Sequence, residues 1–126
     1  MIHLKILSEN DARSTMAEGE LPGDIRRSSR CVAVILTQSW CPDWTWMKGW
    51  LERQAKNQEP EDLDIDVYEF EYNKFANFDE FRMFKERTFG NMLIPYVRYY
   101  LDGELVSESN QASSDSFLRP FRTGNG

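Results

Sequence analysis

The chain has 126 residues, 40% of them hydrophobic and 13% aromatic, which fits one ordered domain, read as 1–126, able to bury roughly two thirds of its unfolded surface. A net charge of −6, with no lysine- and arginine-rich block long enough to track phosphates, argues against nucleic acid as a partner, and no run approaches the roughly 20 apolar residues of a membrane span. Met1 to Leu7 lacks the length and cleavage site of a signal peptide, so the expected location is cytoplasmic, where thiols stay reduced and cysteines read as reactive or core groups before any bridge.

Ile2 to Leu7 alternates weakly and predicts an opening strand; Ser8, Glu9, Asn10 and Asp11 supply capping residues for a short helix at Ala12 to Ala17. Gly19, Pro22 and Gly23 then favour turns, and a polar connection runs to about Arg30. Within it, Arg26-Arg27-Ser28-Ser29-Arg30 reads as a solvated loop, with docking of an acidic partner as the alternative. Cys31 to Thr37 is continuously apolar and β-branched, the pattern of a central strand covered on both faces. Pro42 suits the first position of a helix and Asp43 its positive end, so a helix starts within a residue of Cys41 and continues to about Asn57. Trp44, Met47 and Leu51 share one stripe of it; Trp46 and Trp50 share an adjoining one.

Leu63 to Phe70 alternates apolar and acidic residues at a strand period, its acidic side either solvated or at the edge of a packed face. Phe75, Phe78, Phe81, Met83, Phe84 and Arg87 predict a helix with a core-facing aromatic stripe, closed by Gly90. Ile94-Pro95 leads into a strand at Tyr96 to Leu101, Asp102-Gly103 is a two-residue hairpin turn, and Glu104 to Ser107 returns. Ser113 to Phe121 predicts a closing helix with Pro120 at or near its end. The order βαβαβαββα implies an α/β fold, a mixed central sheet with helices on both faces.

Cys41 is the residue that carries chemistry. Unpaired N–H groups at a helix start favour a thiolate, while the neighbouring carboxylate of Asp43 opposes it. A thiolate can attack a disulfide, but release of the mixed disulfide needs a second thiol. Cys31 is a poor candidate: a strand over residues 32 to 38 separates the two cysteines by about 20 Å, whereas a disulfide needs Cα atoms within about 7 Å. It reads as an inert thiol at the opposite end of the sheet. Trp40 and Trp44 are candidates for an exposed apolar rim, with Trp46 and Trp50 packing on a neighbouring helix. His3 has no metal-site or Cys–His context, and Glu59, Glu61, Asp62, Asp64 and Asp66 lack a calcium-loop pattern and read as solvated.

Together, Val32 to Thr37, Trp40-Cys41-Pro42-Asp43-Trp44, Ile94-Pro95 and Tyr99 to Val106 resemble thioredoxins, over the chain from residue 31 and more loosely before it. Thioredoxins carry W-C-G-P-C, and a branch of small cytosolic thioredoxin-related proteins carries W-C-P-D-C; Trp40 to Asp43 is similar to that branch and Trp44 departs from it. The resemblance implies the thioredoxin-like fold, Cys41 as nucleophile, and an absent resolving cysteine. It puts Ile35 where thioredoxins bury an acid that assists proton transfer, and Pro95 where they hold a cis-proline beside the sulfur. Trp40, Pro42, Asp43, Trp44, Ile94 and Pro95 then form the substrate-binding set. No resident cofactor is expected; glutathione or another small thiol is the co-substrate and a protein or peptide disulfide the substrate. Two functions stay open: monothiol thiol-disulfide exchange, and a redox-inactive binding module using the Trp40/Trp44/Pro95 surface. A third is a redox sensor in which capping of Cys41 changes partner binding.

Overall fold

Cys31–Thr37 forms the central strand β2, and every one of its residues is buried, as a continuous apolar run between two covering layers requires. The computed structural model describes residues 1–60 and 62–122. Beside β2 lie β3 (Ile65–Glu71), parallel, and β4 (Tyr96–Leu101), antiparallel. β1 (Ile2–Ile6) runs parallel outside β3, and β5 (Glu104–Ser109) antiparallel outside β4, giving the order β1-β3-β2-β4-β5. The β4–β5 connection is the expected two-residue turn: Asp102 and Gly103 have φ of 52° and 83°, the left-handed pair that matches strand twist.

The helices are α1 (Glu9–Glu18), α2 (Gly23–Arg26), α3 (Pro42–Lys56), α4 (Phe78–Arg87) and α5 (Ser114–Arg122). Successive β2 residues point to opposite faces, so the strand feeds two cores. Cys31, Ala33 and Ile35 join Met47, Trp50 and Leu51 of α3 and Phe117 and Phe121 of α5. Val32, Val34 and Leu36 join Ala12 of α1 and Phe81 of α4 on the other side. Edge-on ring contacts, Trp50 on Phe117 at 5.5 Å and Tyr99 on Phe121 at 5.7 Å, tie α3 and α5 to the sheet.

Several local expectations are corrected. The connection before β2 contains α2, because Leu21 and Ile25 are buried and draw the chain into a turn against the sheet. Arg26 is accordingly half-buried, its guanidinium donating to the carbonyls of Leu21 at 2.9 Å and Gly103 at 2.8 Å, while Arg27, Ser28 and Arg30 are exposed as expected. The acidic side of the β3 segment is divided: Asp64, just ahead of the strand, is solvated as expected, and Asp66 is not. Asp66 is buried, accepting from Lys5 at 3.1 Å and Ser28 at 2.6 Å, so paired donors replace its water. Phe75 lies outside α4, after a 3₁₀ turn at Tyr72–Lys74, yet is buried against Phe81; Met83 is exposed. Pro120 falls in the last described turn of α5, near its end as expected, between Phe117 and Phe121, which are both anchored in the core. His3 pairs with Asp64 at 3.2 Å on the surface, and Glu61 lies outside the described residues.

Candidate functional site

Cys41 caps the N-terminus of α3 in extended conformation and makes no side-chain cap hydrogen bond. The loop that delivers it is fixed twice. The Cys41 N–H donates to the Gln38 carbonyl at 3.2 Å, closing a turn, and Asn73 accepts from the Ser39 N–H at 2.9 Å while donating to the Ser39 hydroxyl at 2.8 Å. Pro42, at the first helical position, has no N–H to leave unpaired, and Asp43 stands exposed in the first turn.

The second half of the site arrives from the loop ahead of β4. The Cys41 thiol donates to the Ile94 carbonyl at 3.8 Å, and the Ile94–Pro95 peptide bond is cis. Residues 53 positions apart are thus brought into contact by the antiparallel pairing of β2 with β4. Cys41 itself is only 5% exposed, so an incoming sulfur has a narrow approach. Trp40, 65% exposed, flanks it, with its indole N–H donating to Gln38 at 2.7 Å; Met92 and Leu93, also largely exposed, come from the Ile94 side. Of the sequence-derived set, Trp40, Pro42, Asp43, Ile94 and Pro95 therefore gather around the start of α3.

Trp44 does not join the exposed rim. It is 2% exposed, with its indole N–H donating to Glu71 at 2.9 Å and Lys48 lying over its ring. The physical reason is helical period: Trp44 shares the buried stripe of Met47 and Leu51, and position 44 of the first turn faces the sheet rather than solvent. Trp46 is the exposed residue of the adjoining stripe, and only Trp50 packs on the neighbouring helix, donating to the Ala112 carbonyl at 3.0 Å.

Ile35 is fully buried and pairs in register with Glu69 of β3. Burial pushes the Glu69 carboxyl up, opposed by Lys48 at 3.3 Å. Burial also acts to raise Glu71, but hydrogen bonds from Lys74 and Trp44 outweigh it and hold that carboxyl below its usual range. The hydroxyl of Thr37, the last residue of β2, is buried with no hydrogen-bond partner among the described residues. Cys31 opens β2 at the far end from Cys41; both thiols are free, and burial pushes the Cys31 thiol up. Among the described residues, no group of three or more histidine, cysteine, aspartate or glutamate side chains is placed to hold a metal ion. No helix among them is long and apolar enough to cross a membrane.

Sequence reasoning passed over the polar residues that hold the Ile94 loop: Lys85 of α4, Asn91 and Asn110. The Lys85 ammonium donates to the carbonyls of Asn91 and Leu93, each at 2.8 Å, and Asn110 donates to the Pro95 carbonyl at 3.1 Å. One signal was present: Lys85 falls one turn beyond Phe81 on the face that carries the aromatic core.

No protein-family model and no curated protein matches the chain. Solved structures do match along nearly its whole length. Thioredoxin O1 from Arabidopsis thaliana in the oxidized state aligns with a TM-score of 0.60 at 13% identity, covering 97% of this chain and 96% of that one. Thioredoxin f2 from Chlamydomonas reinhardtii gives 0.59 at 14%, with 97% and 96% covered, and a mutant thioredoxin from Halobacterium salinarum gives 0.57 at 12%, with 98% and 88% covered. The chain has the thioredoxin fold, as the sequence resemblance implied.

Proposed function

We propose that this thioredoxin-fold chain is a monothiol thiol-disulfide exchange protein with Cys41 as its nucleophile. The observation that carries the reading is the Cys41 thiol at the start of α3, 3.8 Å from the Ile94 carbonyl, where two loops 53 positions apart in the sequence meet. The Cys41 thiolate attacks one sulfur of a mixed disulfide between a protein or peptide and a small thiol, expelling the protein thiolate, which takes up a proton. A second small thiol, such as glutathione, then attacks the Cys41 adduct, leaves as the small-molecule disulfide and restores the Cys41 thiolate. The external thiol is required because Trp44 occupies the position three residues on, and Cys31 lies at the far end of β2. Such chemistry suits the cytoplasm, where small thiols are kept reduced.

The exposed side chains of Trp40, Met92 and Leu93 supply an apolar surface on both sides of the sulfur for the substrate peptide. Trp40→Ala combined with Leu93→Ser is expected to raise KM for a glutathionylated peptide on the order of tenfold, with stability changed by no more than about 0.5 kcal/mol because both side chains are exposed. Steady-state kinetics with glutathione as second substrate measure the first, and urea denaturation the second. An unchanged KM removes these residues from the substrate surface.

A second reading is favoured by a specific observation. Cys41 is 5% exposed, and Trp44 and Ile35 fill with apolar bulk the two places that dithiol chemistry would use. In that reading the same surface binds a partner without covalent chemistry, and a Cys41→Ser variant keeps full partner binding.

A further inference from the structure

Between α4 and β4, Phe89 and Ile94 pack against the core while Met92 and Leu93 stand in solvent, which leaves the intervening 91–93 stretch without an apolar anchor. Its position depends on polar contacts. Lys85 is 1% exposed, and its ammonium donates to the Asn91 carbonyl at 2.8 Å, the Leu93 carbonyl at 2.8 Å and the Asn91 side-chain oxygen at 3.4 Å. That oxygen also accepts from the Leu93 N–H at 3.0 Å and from Asn110 at 2.9 Å, and Asn110 reaches on to the Pro95 carbonyl. The next residue after Leu93 is Ile94, whose carbonyl meets the Cys41 thiol.

A lysine is among the residues least often fully buried, and its three donors here are matched by three oxygens. Phe81, on the preceding turn of α4, is fully buried in the aromatic cluster, so the helix that carries the ammonium is itself anchored. Charge-assisted bonds to backbone carbonyls then fix the course of the chain at 91–93, and with it the place of the Ile94 carbonyl. The lysine lies over the Tyr96 ring at 5.4 Å, which places it between the loop and β4.

The geometry points to Lys85 as a positioning residue of the Cys41 site: from the core of α4 it holds the 91–93 backbone so that the Ile94 carbonyl covers and orients the thiol. This rests on the proposed function in taking Cys41 and Ile94 as the reacting centre. Lys85 touches neither sulfur nor substrate and acts only through the loop.

The test compares wild type with Lys85→Met, which keeps the aliphatic length and removes the donors. Three readouts are taken: amide hydrogen exchange at 91–94, iodoacetamide alkylation of Cys41 against Cys31, and KM against kcat with a glutathionylated peptide. Expected are exchange and Cys41 alkylation faster by about tenfold, Cys31 alkylation as slow as in wild type, and KM raised more than kcat is lowered. If Lys85→Met fails to fold, shown by Cys31 becoming as reactive as Cys41, Lys85→Gln, which retains two N–H donors, takes its place with a smaller increase expected. A folded variant with unchanged 91–94 exchange overturns the assignment. So does one in which the loop loosens while Cys41 alkylation stays at the wild-type rate. If the wild type exchanges no disulfide at all, the proposed function falls, and hydrogen exchange and alkylation still decide the role of Lys85.

Discussion

Cys41→Ser is expected to lower deglutathionylating turnover to the uncatalysed level, a loss on the order of 10³-fold or more, without unfolding the chain. The chemical loss follows because a hydroxyl with no adjacent base is a weak nucleophile and forms no disulfide, and His3, the sole histidine, lies on β1 paired with Asp64. The fold survives because serine retains a donor for the Ile94 carbonyl, keeps the extended cap conformation and is itself a favoured N-cap. Stability is expected to stay within about 1 kcal/mol of wild type, the scale of one exchanged hydrogen bond. Turnover with a glutathionylated peptide and urea denaturation measure the two halves. Retained turnover removes Cys41 from the chemistry; lost turnover with retained partner binding shows that one surface serves both.

The second large effect concerns Trp44. Its place on the first turn of α3 is three residues from Cys41, a spacing that sets Cβ atoms about 5–6 Å apart on one helix face, within reach of a disulfide after a small adjustment. Trp44→Cys is therefore expected to convert external into internal resolution: one turnover proceeds without added small thiol and leaves the protein lighter by two hydrogens. The cost is a large cavity against β3 and the loss of an indole donor to Glu71, about 3–5 kcal/mol by analogy with other removals of buried tryptophan. Against a typical total of about 5–15 kcal/mol, the variant remains folded with a much lower denaturant midpoint. Mass spectrometry after a single turnover and urea denaturation check both. A variant that still needs added thiol would show that geometry, and not only the absent sulfur, blocks resolution.

The parts legible in the sequence were those set by local pattern. The apolar run of β2 was read at its full extent, Pro42 placed the start of α3, and Asp102-Gly103 placed the hairpin, because each depends on the backbone preferences of a few adjacent residues. What escaped was set by partners distant in sequence. Asp66 is buried because Lys5 and Ser28 arrive from other segments, and the α2 turn forms because Leu21 and Ile25 find the sheet. The exposure expected at Trp44 weighs proximity to Cys41 above helical period, although Met47 and Leu51 already mark the inward face, and Trp46, expected to pack beside Trp50, stands exposed instead. At the candidate site, Trp40, Cys41 and Pro42 were legible from their motif, and Ile94 and Pro95 through the resemblance. Asn91 and Asn110 were not, since an asparagine in an irregular segment gives no sign of which carbonyl it will meet; Lys85 of α4 showed only its place on the inward face, one turn beyond Phe81, and not the carbonyls it reaches.

The measurement that bears most directly on Cys41 as a monothiol nucleophile is intact-protein and peptide mass spectrometry after incubation with a glutathionylated peptide, followed by addition of glutathione. One glutathione adduct on Cys41, none on Cys31, and its removal at a rate proportional to added glutathione is the predicted result. A Cys41 that stays unmodified while the same peptide is readily reduced by a free thiol would contradict it, and would leave the surface around Trp40 and Leu93 as a site for binding alone.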